Sequence, residues 1–84
     1  MEKRGELYAL MQRAFESAAP YLADFNKVRE LINRVLSNVN SIEELYEEIR
    51  QLMLGTRDVE FRTDLRILLN MLEKEISRLV KEDG

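Results

Sequence analysis

Leu7, Met11, Ala14, Ala18, Tyr21, Phe25, Val28, Ile32, Val35 and Val39 follow one another at alternating steps of four and three residues. That spacing is a heptad seam, one face of a helix turned toward packed neighbours. Tyr8, Phe15, Leu22 and Leu36 widen the seam on one flank, and Leu10 and Leu31 on the other. A stripe this broad suits a helix that meets two neighbours.

The seam keeps its phase through Pro20, in the stretch FESAAPYLADF. Pro20 shares a column with Arg13, Lys27 and Arg34, and that column faces water. A proline there removes one backbone hydrogen bond and pushes against the preceding turn, which bends a helix around its core. No glycine is near, and Ala18-Ala19 favours helix. The pattern therefore predicts one long helix over about residues 5–38, bent at Pro20. The alternative is a compact four-helix bundle with a break there, in which Ser17 caps a new helix and Pro20 sits in its first turn.

Asn38, Asn40 and Ser41 mark the next turn, with Val39 directed inward. Ser41-Ile42-Glu43-Glu44 reads as a capping box: the serine oxygen accepts the Glu44 amide, and Glu44 reaches back. A short helix follows over about 42–54, with Ile42, Leu45, Ile49 and Leu52 inward. Gly55 is expected to stop it in a left-handed conformation. Thr56, with Asp58 following, or Thr63 caps the last helix, over about 57–81. Its inward positions are Phe61, Leu65, Leu68, Leu69, Leu72, Ile76 and Leu79. The fold class is thus all-α, a small bundle forming a single domain over residues 1–84.

The predicted lengths do not match. At 1.5 Å per residue the first helix would span roughly 50 Å and the second only about 20 Å. Leu7, Leu10, Met11, Ala14, Phe15 and Ala18 would then lack a partner within the chain, and so large an apolar stripe marks an interface. The expected partner is a second copy, as a two-fold homodimer, and another protein beyond it.

Composition narrows the classes further. With 84 residues, 45% of them hydrophobic, the chain is one folded domain. The net charge of −3 offers no general attraction to nucleic acid or anionic lipid. There is no apolar run long enough for a membrane span or a signal peptide, so the expected location is cytoplasmic. The 35% charged content, rich in arginine, agrees with a heat-adapted protein.

Candidate chemistry is sparse. The chain has no histidine and no cysteine, which removes the usual nucleophilic triads and thiolate or imidazole metal sites. No acid falls on an apolar stripe where burial would tune it for acid–base work. Glu43, Glu44, Glu47 and Glu48 form the densest acidic run, but on one short helix they read as a solvated face. No catalytic residue, metal, cofactor or small-molecule substrate is expected. The reading is a non-catalytic protein–protein interaction, adaptor or assembly module. The alternative is a nucleic-acid-binding or regulatory protein that uses Arg57, Arg62, Arg66, Lys74 and Arg78 along the last helix.

Overall fold

The computed structural model describes residues 2–83, with side chains over 5–81. The described residues form a small all-α bundle of four helices. Helix α1 spans Glu2–Ala18, α2 spans Phe25–Leu36, α3 spans Ile42–Gly55 and α4 spans Val59–Asp83. A single 3-10 turn, Ala19–Tyr21, follows α1.

Pro20 breaks the first helix rather than bending it. The continuous helix expected over residues 5–38 is two helices, and the compact bundle with a break is the arrangement found. Three devices make the break, two local and one distant in sequence. Pro20 enters the 3-10 turn, and Leu22 closes it in an extended conformation, φ −82° and ψ 137°. Asp24 then starts α2, its side chain accepting the amide hydrogen of Lys27 at 3.1 Å. Finally, the amides of Ala23 and Asp24 donate to the two oxygens of Asp64 on α4, at 2.8 and 2.9 Å. Asp64 is distant in sequence, so no local pattern announces it. Ser17, offered as the new cap, remains inside α1.

Folding back places α1 against α2 and α4. Phe15 and Phe25 meet across the corner with ring centroids 4.8 Å apart. Leu7 and Tyr8 line a crevice with Asn33 and Leu36, so the start of α1 lies beside the end of α2. Helix α4 is the backbone of the bundle, packing on α1 along one side and on α3 along another. The molecule measures 37 × 23 × 20 Å. The length mismatch expected from a single long helix disappears, because α1 now has α4 to lie on.

The core joins Leu10, Met11, Val28, Leu45, Ile49, Leu65, Leu68 and Leu72. Each is at most 1% exposed. Burying a side chain of this size contributes about 1.5–3 kcal/mol. The two short connections follow the chain's local chemistry. Val39 is tucked inward, Ser41 Oγ accepts the Glu44 amide at 3.1 Å, and the Glu44 carboxylate accepts the Asn40 amide at 2.8 Å. Gly55 is the last residue of α3 but has no positive φ, so it does not serve as a left-handed stop. Instead Thr56 turns extended and its Oγ1 accepts the Asp58 amide at 3.2 Å. Asp58, not Thr56 or Thr63, caps α4 by accepting the Phe61 amide at 3.1 Å.

Candidate functional site

Leu7, Leu10, Met11, Ala14, Phe15 and Ala18, the face expected to meet a partner, are all buried within the monomer. Helix α1 spends this stripe on α4 and α2. Two members of the heptad seam are stranded instead: Tyr21 is 66% exposed and Phe25 41% exposed. Both flank the break, where the chain leaves helical phase.

Tyr21 forms one wall of a groove of about 550 Å³ along the outer side of α4. Ile67 and Met71, one turn apart and half-buried, supply its apolar floor, with Asn70, Lys74 and Ser77 as polar lining. Glu73 is also in the lining, but its carboxylate accepts a hydrogen bond from the Tyr46 hydroxyl of α3. That bond, with loss of solvation and the adjacent negative charge, raises the Tyr46 pKa above its usual 10.0.

The basic residues fall into three situations. Arg62, Arg66, Asn70, Lys74 and Arg78 make one row at four-residue spacing, a ridge on the surface of α4. Arg62 folds back to donate to the Thr56 carbonyl at 2.7 Å. Arg78 lies 3.8 Å from Glu75, which also pairs with Arg13 at 3.1 Å. Arg66 and Lys74 are exposed and make no ion pair among the described residues, and neither does Arg57 in the connection before α4. Lys27, on the outer column of α2, is committed to Asp58 at 3.1 Å and to the ring of Phe61, 4.4 Å from its centroid.

Two acids depart from the solvated faces expected of them. Asp64 is 1% exposed and Glu75 7%. Asp64 stands one turn before Leu68, which was the available sign of its inward position. Its two acceptor bonds show what the buried charge does: it ties the α1–α2 loop to α4. Glu75 is neutralised by arginines on two helices. Among the described residues no group of three or more His, Cys, Asp or Glu could hold a metal ion, and no helix is long and apolar enough to cross a membrane.

Residues 10–77 match the MJ1579 family. The chain belongs to that family. A relative, the uncharacterized protein MJ1579 of Methanocaldococcus jannaschii, is 38% identical over 74 residues, covering 88% of this chain and 94% of the relative. No solved structure matches the chain significantly. The matched span of the MJ1579 family takes in Pro20, Asp64 and every residue of the groove.

Proposed function

We propose that this protein is a non-catalytic protein–protein interaction module, an adaptor or assembly subunit, that docks a partner in the groove between Tyr21 and α4. The observation that carries the reading is the groove itself. It places an exposed tyrosine beside the Ile67–Met71 strip and Lys74, which makes no ion pair among the described residues, on its rim. The chemistry that fits is an acidic amphipathic helix: apolar side chains enter over Ile67 and Met71, and carboxylates meet Lys74 and Arg66. A cytoplasmic setting and adaptation to heat belong to the same reading, the latter supported by the thermophilic origin of the M. jannaschii relative.

A second reading, nucleic-acid binding, draws on the exposed and unpaired Arg57, Arg66 and Lys74. It is the weaker one because Arg62 and Arg78 are engaged within the chain.

Titration of labelled protein with acidic amphipathic helical peptides, followed by NMR, tests the first reading. Shift changes should concentrate at Tyr21, Ile67, Asn70, Met71 and Lys74 and vanish with Lys74→Glu. Changes scattered over the surface, or none at millimolar peptide, would discard it. A parallel titration with DNA and RNA duplexes, showing binding that weakens steeply with salt, would put the second reading in its place.

A further inference from the structure

The heptad seam of residues 7–39 does not lose phase at the break, although the helix does. Its two members beside the break, Tyr21 and Phe25, are the exposed ones, Phe25 with one side still on Phe15, while Met11, Ala14, Ala18, Val28, Ile32 and Val35 are buried. Segment 19–24 contains no glycine, and no described residue has a positive φ. Within the segment Pro20 is the residue that opposes a continuous helix, since it lacks the amide hydrogen and crowds the preceding turn. What holds it open is separable: Pro20, the Asp24 cap on α2, and the two amide bonds to Asp64.

We propose that the closed monomer exchanges α1 with a second copy of the chain. In the exchanged dimer, segment 19–24 is helical, residues 2–36 form one continuous helix, and each α1 lies on the partner's α4. Leu7, Leu10, Met11, Ala14, Phe15 and Ala18 keep the contacts they have in the monomer, but now between chains. Tyr21 and Phe25 rejoin the seam, where two copies of the long helix bury them against each other about the two-fold axis. Exchange of an identical element costs little in contacts, since both states use the same packing. The balance is set at the hinge: Pro20 and Asp64 favour the closed form, and the stranded aromatics favour the exchanged one. This inference does not depend on the docking groove, which belongs to the closed form.

The chain lacks cysteine, so spin labels can be placed freely. Tyr8 and Asn33 line one crevice in the closed monomer. In a continuous helix they are 25 residues apart in sequence, a span of roughly 38 Å within one chain. The experiment uses Tyr8→Cys with Asn33→Cys, labelled and diluted with excess unlabelled protein so that only distances within a chain are read. Pro20→Ala and Asp64→Ala are added separately, and each protein is refolded at high concentration. Sedimentation equilibrium should show the dimer fraction rising at least tenfold over the parent, with a label separation near 38 Å. Folded variants that remain monomeric, or dimers that keep the short separation, overturn the proposal. If Asp64→Ala does not fold, Pro20→Ala, which leaves the latch in place, decides alone.

Discussion

Asp64 on α4 accepts the amide hydrogen of Ala23 at 2.8 Å, and its second oxygen takes the neighbouring amide of Asp24. A carboxylate 41 positions away thus supplies the partners for two loop amides that follow the 3-10 turn. Bonds from amides to a buried charge are worth about 1.5–3 kcal/mol each. Asp64→Asn replaces one acceptor oxygen with an amide group that faces another donor. It should destabilise the fold by about 1–3 kcal/mol, measured by denaturant unfolding, and speed hydrogen exchange first at Ala23 and Asp24. Unchanged exchange at those two amides would mean the carboxylate does not hold the loop.

Ser41 and Glu44 form the other well-defined stop in the chain, the start of α3. Ser41→Ala should cost about 1 kcal/mol, the usual loss of an N-cap. Glu44→Gln keeps the reach-back to the Asn40 amide and should cost less. Chemical denaturation of the two variants side by side ranks them; equal losses would remove the serine oxygen from its role as acceptor.

These two cases show where sequence reading reaches and where it stops. Helices α3 and α4 were legible because each is written locally: Ser41 and Glu44 begin one, and the periodic Leu65, Leu68, Leu69 and Leu72 define the face of the other. The break after Ala18 was not. The seam from Leu7 to Val39 is continuous, so its pattern favours a long helix, and the partner that reverses the decision, Asp64, stands on a distant helix. The candidate site suffered in turn. With one long helix, Leu7 to Ala18 looked unpartnered; with a hairpin, they are core, and the members of the seam left exposed are Tyr21 and Phe25. Arg66 and Lys74 kept their expected exposure, whereas the commitments of Arg62 to Thr56 and of Arg78 to Glu75 depend on contacts that spacing alone does not reveal.

Asp58 joins a helix cap to an ion pair. It accepts the Phe61 amide and faces Lys27, and these bonds hold its pKa below the usual 3.8. A carboxyl group lowered on folding stabilises the protein above its unfolded pKa and stops doing so as pH falls through its folded value. Stability should therefore decline in the window below 3.8, and Asp58→Asn should flatten that part of the pH profile while lowering stability at neutral pH. Denaturant midpoints across acidic pH give the comparison; parallel profiles would rule Asp58 out as a source of the acid loss.

Tyr46 should govern the alkaline side. Its hydroxyl donates to Glu73, so ionisation would both break that bond and set two negative charges together, and its pKa is raised above 10.0. The sign is opposite to that of Asp58: a group raised on folding stabilises below its unfolded pKa and ceases to as pH rises through its folded value. Tyrosinate absorbance should show a step above pH 10.0, and Tyr46→Phe should remove it.

Met11 tests the placement of the α1 stripe. It is fully buried, with Leu10 and Ala14 beside it. Were this stripe only a docking face on an otherwise complete fold, Met11→Glu would yield a folded chain that no longer associates. In the bundle found here, the glutamate must either carry its charge into the core or open the contact between α1 and α4. An unpaired buried polar group costs about 2–7 kcal/mol, against a total stability for a domain of this kind of about 5–15 kcal/mol. Loss of the methionine's own packing adds about 2–5 kcal/mol. Met11→Glu should therefore abolish most helical circular dichroism at ordinary temperature, while Met11→Leu, which conserves volume, should fold with a loss below about 1.5 kcal/mol. A Met11→Glu protein that keeps full helix content as a monomer would show that α1 is not part of the core.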